Sequence, residues 1–243
     1  MKIGILKADS VLPQFQGEFG DYPDMFVARL AANSESEVTF HSYDVEHLEY
    51  PENLDDCDGY VITGSKKSVY DDEPWIHRLE QYVRVLHSAK KPLVGVCFGH
   101  QLVAQALGGK TQSAAEGWGV GVHTNQLVKQ QDFMVPQLEA FRVLVSHKDQ
   151  VTSLPDGAVK LASSDFCPNA MYQVDDHILC VQGHPEFVKA YSHSLINLRQ
   201  EILGEQLFEQ GVASLEQPLD SDTLARWILN FIQSRSLDNS KTR

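Results

Sequence analysis

The sequence predicts an α/β fold: a mostly parallel central sheet with helices on both faces, continued by an antiparallel strand extension. Three observations predict it. Short apolar segments alternate with helical patterns through residues 2–107, as they do in strand–helix–strand units with parallel strands. Beyond Lys110 the pattern changes to short strands separated by turn signals. Between the two, residues 92–109 run for eighteen positions without a formal charge. That run holds His100, Gln101, Gln105 and four glycines, whereas a membrane span needs about twenty predominantly apolar residues. It reads in pieces, as a buried strand turning into a packed helix.

The elements follow in order. "KIGILK" (2–7) is a short buried strand, residues 24–33 carry helical spacing, and "EVTFHSYDV" (37–45) alternates as a strand does. "DGYVITG" (58–64) is a third strand ending in glycine. Over 72–89 a helix is expected, with Asp72 as its cap, Pro74 in its first turn, and Trp75, Leu79, Tyr82, Val83 and Leu86 on one face. Residues 92–97 form a strand and 98–107 a helix stopped by Gly108-Gly109. Strands are then expected at 120–128, 141–147, 159–164, 169–174 and 177–183, with closing helices at about 188–211 and 220–234. No repeat or linker divides the chain, so residues 1–234 are expected to form one domain and 235–243 a flexible tail.

The totals bound the function. Thirty-three acidic against twenty basic residues give a net charge of −13, which repels phosphate backbones and anionic lipid, so neither nucleic acid nor membrane is an expected partner. Four cysteines without a CxxC pair make neither a disulfide scaffold nor a zinc site. The apolar run at the N-terminus is too short for a signal peptide. A cytoplasmic location is the expectation.

Gly95-Val96-Cys97-Phe98-Gly99 places G-x-C-x-G at a strand-to-helix junction, the cysteine counterpart of the nucleophile elbow. A sharp turn there exposes the central side chain at the carboxyl end of the sheet, where a helix N-terminus favours negative charge. The alternative is a small buried hydrophobe. A partner lies in "ILCVQGHPEF" (178–187): His184 follows an apolar strand, and Glu186, two residues on, projects to the same side. Cys97, His184 and Glu186 thus make a nucleophile–base–orienter set. Oxyanion donors would be the backbone N–H of Phe98, directly after the nucleophile, and that of Gly64, at the end of the neighbouring strand. His147 with Asp149 could mimic a base–orienter pair or shape a loop. Cys57, among aspartates, is disfavoured as a thiolate by like charge, and Cys180 reads as core. Cys97 with His100 falls short of a metal site. Nucleophilic catalysis by such a set is expected to require no metal and no cofactor.

"GVCFGHQLVAQALGG", "VITGS", "EGWGVG", "SHKDQV" and "QGHPEF", spread over residues 58–187, resemble the class I glutamine amidotransferases, most closely the glutaminase domain of GMP synthase and its stand-alone relatives. The resemblance implies their flavodoxin-like fold, attack by Cys97 on a glutamine side-chain amide, and a triad completed by His184 and Glu186. It also implies an oxyanion hole at Gly64 and Phe98, glutamine held by Gln101, and further substrate contacts from the "EGWGVG" and "SHKDQV" segments, the latter containing His147. Two departures stand out. This chain has Thr63-Gly64-Ser65 where the family's synthetase often has two glycines and a proline, and no phosphate-binding loop accompanies the triad.

Three functions compete on this reading. The first is a self-sufficient hydrolase of γ-glutamyl compounds acting through a γ-glutamyl thioester. The second is a glutaminase subunit that delivers ammonia to a separate synthetase. The third is a non-catalytic regulator retaining the fold, against which an intact Cys97, His184 and Glu186 weigh.

Overall fold

The computed structural model describes residues 1–241. The elements are β1 (Lys2–Lys7), α1 (Pro13–Phe19), α2 (Tyr22–Ala32), β2 (Thr39–Asp44), β3 (Gly59–Ile62), α3 (Pro74–Ser88), β4 (Leu93–Val96), α4 (Phe98–Ala106), β5 (Lys110–Ser113) and β6 (Gly119–Leu127). They continue with β7 (Ala140–His147), β8 (Asp149–Ser153), β9 (Ala158–Ser163), β10 (Met171–Val174), β11 (Ile178–Val181), α5 (Lys189–Leu198), α6 (Gln200–Ser214) and α7 (Ser221–Lys241).

Nine strands form one sheet in the order β2-β1-β3-β4-β11-β10-β9-β6-β7. From β2 to β11 every neighbouring pair is parallel; from β11 to β7 every pair is antiparallel. The parallel core and its antiparallel extension follow the expected fold. β3, β4, β10 and β11 are buried at every position, which is why β3, β4 and β11 read as continuous apolar runs instead of alternating ones, while β10 buries the polar Gln173. On one face α2 and α7 contribute Phe26, Leu30, Trp227, Ile228, Phe231 and Ile232 to the core. On the other, α3 and α4 contribute Ile76, Leu79, Val83, Leu86, Leu102 and Val103. A third cluster packs Tyr191, Leu195 and Ile196 of α5 against Val120, Val122 and Leu144 of the extension. Among the described residues, no helix is long and apolar enough to cross a membrane.

Several local expectations are corrected. Asp72 does not cap α3: the N-cap is Glu73, without a side-chain cap bond, and Asp72 accepts a hydrogen bond from the His77 ring at 2.9 Å. α2 begins at Tyr22, two residues early, because Asp21 and Asp24 close a capping box around its N-terminus. The single helix expected at 188–211 is two, and α6 is broken at Gly204, where φ is 73°. α1 buries no residue, and the polar β5 and β8 form their own two-stranded ladder; neither carries the apolar periodicity that marks an element in sequence. α7 continues to Lys241, and the last two residues of the expected tail, Thr242 and Arg243, lie outside the described residues.

Candidate active site

β4 lies between β3 and β11 in parallel register, with Val96 level with Val181, so these strands deliver their carboxyl ends to one place. The Cys97 N–H still donates to the Val181 carbonyl at 3.0 Å. There the chain turns: Cys97 adopts φ 52° and ψ −102°, and α4 starts at the next residue. A non-glycine residue held at positive φ stores on the order of 1–3 kcal/mol. The two flanking glycines make the corner possible. A Cβ on Gly95 would sit 2.5 Å from the Gly99 carbonyl oxygen, and one on Gly99 would sit 2.6 Å from that of Ile62. The exposed cysteine expected from sequence is in fact 5% exposed, because His184 and the Gly64 loop stand over it.

His184 arrives on the chain leaving β11. Its N–H donates to the Leu144 carbonyl at 2.8 Å, bridging it to β7. Its Nδ1–H donates to Glu186 Oε1 at 2.7 Å, and the ring also hydrogen-bonds the Cys97 side chain. With Nδ1 committed to the carboxylate, Nε2 is the nitrogen left for sulfur. Phe187 stacks on the imidazole, centroids 3.8 Å apart and planes 8° apart. Burial pulls the His184 pKa down, but the Glu186 charge and the neighbouring sulfur outweigh it and raise the pKa to about 10. The ring therefore carries its proton at neutral pH.

Phe98 is the first residue of α4, where the backbone N–H has no acceptor within the helix. Gly64 follows β3 so closely under His184 that a Cβ there would lie 3.0 Å from His184 Cε1 and 3.7 Å from Cys97 Cβ. Gly64 and Phe98 therefore lie on either side of Cys97.

Cys97 opens into a cavity of about 470 Å³, which is also lined by Gln101, Trp118, Ser146, His147 and Arg199, with Lys66, Ser68 and Tyr70 along its lip. Gln101 stands in this wall, its amide nitrogen donating to the Asp149 carbonyl at 2.8 Å and to Gln182 Oε1 at 3.1 Å. His147 is not half of a base–orienter pair. Its Nδ1–H donates at 2.9 Å to the backbone carbonyl of Asp149, while the Asp149 carboxylate accepts from Ser68 and Tyr70 at 2.6 and 2.9 Å. Burial drives the His147 pKa down to about 3, so the ring is a neutral post that shapes the wall.

The remaining candidates fall into the core. His100 packs edge-on against Tyr172 at 4.8 Å, its pKa lowered to about 3 by burial. Cys180 is fully buried and its thiol is pushed up to about 12 by burial. The Cys57 thiol is raised as expected, although burial is the leading cause and Asp56 a minor one.

Arg199, between α5 and α6, escaped the sequence reading. Its guanidinium donates to Ser146 Oγ and lies over the Trp118 ring at 4.8 Å. Burial lowers its pKa, and among the described residues no carboxylate lies within ion-pair distance of it. A guanidinium held this way, in the wall that Cys97 also lines, has the chemistry to receive an anion. Only the chain's path through "EGWGVG" and "SHKDQV" could have pointed to it.

Residues 19–198 match the family model for glutamine amidotransferase class-I. The chain is 31% identical to γ-glutamyl peptidase 2 of Arabidopsis thaliana over 225 residues, covering 89% of this chain and 90% of that protein. It is 25% identical to a glutamine-hydrolysing GMP synthase of Bacteroides fragilis over 200 residues, which span 78% of this chain but 38% of the synthase. The fold superposes on a glutamine amidotransferase of Thermotoga maritima with a TM-score of 0.73 at 19% identity, over 97% of this chain and 98% of that one. Fold, elbow and family match agree: the chain belongs to the class I glutamine amidotransferases.

Proposed function

We propose that this chain is a cysteine-type hydrolase of γ-glutamyl amide bonds, acting on γ-glutamyl compounds through Cys97, His184 and Glu186. The carrying observation is the continuous line from sulfur through imidazole to a carboxylate at 2.7 Å, set at a strained elbow. In the reaction, Cys97 attacks as the thiolate paired with the His184 imidazolium, adding to the γ-carbonyl carbon, and the charge on oxygen is taken by the N–H groups of Gly64 and Phe98. His184, already protonated, gives its proton to the departing nitrogen as the C–N bond breaks, leaving a γ-glutamyl thioester. Water then attacks the thioester, losing its proton to His184, and glutamate leaves as the C–S bond breaks. Glu186 holds the ring in its tautomer and stabilises the imidazolium. Four free, buried cysteines support a reducing compartment, the cytoplasm.

Two features favour a self-sufficient hydrolase over an ammonia-delivering subunit. The cavity of about 470 Å³ falls within the range of small-molecule pockets, about 300–1,000 Å³, which leaves room beyond the scissile bond for a leaving group larger than ammonia. A likeness over 89% of this chain and 90% of the relative is to a protein named γ-glutamyl peptidase, whereas the likeness to the synthase covers 38% of that protein. Steady-state kcat/KM for free glutamine and for γ-glutamyl dipeptides, with the purified chain alone, separates the readings. Efficient turnover of a γ-glutamyl peptide is expected. Refusal of every γ-glutamyl compound, with glutamine cleaved only once a synthetase is supplied, would establish the glutaminase instead.

A further inference from the structure

A second cluster of ligand-type side chains lies at the far end of the sheet. His87 is in the last turn of α3, and Asp175 and His177 sit in the turn between β10 and β11. One donor atom from each lies within 4.8 Å of the other two. His87 Nδ1 and His177 Nε2 are 3.0 Å apart. Two imidazole nitrogens on a tetrahedral Zn²⁺ at 2.0–2.1 Å would be roughly 3.3 Å apart, so a small rotation of either ring, with the His87 proton moved from Nδ1 to Nε2, opens the pair to an ion.

The surroundings favour that use. His177 is 2% exposed, and its Nδ1–H donates to Asp176 Oδ1 at 3.2 Å. That bond fixes the tautomer and leaves the Nε2 lone pair turned toward His87, the carboxylate–histidine arrangement that orients metal ligands. Asp175 holds a left-handed φ of 47°, which aspartate tolerates better than most residues, and Gln173 Nε2 pins its carbonyl at 2.7 Å. Arg235 adds positive charge near Asp176, against a chain whose net charge of −13 draws cations.

We propose that His87, His177 and Asp175 bind one divalent transition ion of the Zn²⁺ type, stapling the C-terminus of α3 to the β10–β11 turn. Two imidazoles and a carboxylate suit a borderline-soft ion, with water completing the tetrahedron. The site is structural. His177 precedes β11 and Cys97 follows β4, and since these strands are parallel and in register, a strand's length separates ion from nucleophile.

Co²⁺ titration of the metal-free full chain tests this, because cobalt reports its ligands in the visible spectrum and sulfur ligation adds a charge-transfer band. One equivalent should bind with d–d bands and no sulfur band, and Cys97→Ser should leave the spectrum unchanged. Asp176→Asn should weaken binding about 10- to 100-fold, and His87→Ala should abolish it. A hundredfold excess of Zn²⁺ over its Kd should raise the wild-type Tm by about 5–10 °C and that of His87→Ala not at all. If the metal-free His87→Ala chain is misfolded by circular dichroism, His87→Gln carries the same test. Full binding retained by a folded His87 variant, loss of binding in Cys97→Ser, or no binding by wild type would each overturn the site.

Discussion

At the residue scale, the charge on Glu186 sets the protonation of His184, and two consequences can be measured. His184→Ala should lower kcat/KM about 10³-fold or more, while Glu186→Gln should cost less, since the proton carrier remains. The alkaline limb of kcat/KM, where the imidazolium is lost, should move to lower pH in Glu186→Gln, because that carboxylate, with the Cys97 sulfur, raises the His184 pKa against the pull of burial. Stability should follow the same sign. A pKa raised from an unfolded value near ~6.5 contributes stability that is fully present below that pH and lost as pH rises through about 10. Urea unfolding of wild type should therefore weaken across that window more than that of Glu186→Gln. If the limb stays in place in Glu186→Gln, Glu186 is not the orienter. Arg199 supplies a different readout. If its guanidinium receives the α-carboxylate of the γ-glutamyl group, Arg199→Ala should raise KM about 10- to 100-fold with a smaller change in kcat. A substrate lacking that carboxylate should not distinguish the variant from wild type.

At the scale of elements, the glycines around the elbow separate packing from catalysis. Gly95→Ala puts a methyl 2.5 Å from a backbone carbonyl that cannot move alone, so about 1–3 kcal/mol of stability should be lost together with activity. Gly64→Ala meets the edge of the His184 ring at 3.0 Å; the ring can yield by tenths of an ångström, so kcat/KM should fall about 10²-fold with little change in Tm. Gly17, in α1, has nothing within 4 Å of an added Cβ, and Gly17→Ala should stabilise the chain by about 0.5–1 kcal/mol. Thermal melts and kinetics of the three variants, measured together, check the assignment. These contrasts also mark what could be read in advance. The elbow was legible because two glycines bracket a cysteine at a change of period, and His184 with Glu186 because both follow an apolar strand at a two-residue spacing. β5, β8 and α1 were not, since polar segments gain their structure from partners remote in sequence. Arg199 and His87 were hidden for the same reason: His87 meets His177 across 90 residues.

At the scale of the molecule, the sheet is sandwiched, and α7 covers the face opposite α3 and α4. Trp227 is fully buried there, its Nε1–H donating to the Pro136 carbonyl at 2.9 Å, with Phe141 edge-on at 6.0 Å. Trp227→Ala should cost about 3–5 kcal/mol. If residues 1–234 are one domain, near- and far-ultraviolet probes of that variant should still report a single urea transition. Two separated transitions would divide the chain.

The backbone angle at Cys97 sets the chemistry against the fold that hosts it. Cys97→Gly should relax the corner and unfold at higher temperature than Cys97→Ala, the relief of about 1–3 kcal/mol exceeding glycine's entropic penalty of about 0.5–1 kcal/mol. The residue proposed as the nucleophile is then one that folding alone would replace. A descendant freed from selection for turnover would lose its thiol early, and glycine is the heir that stability would choose.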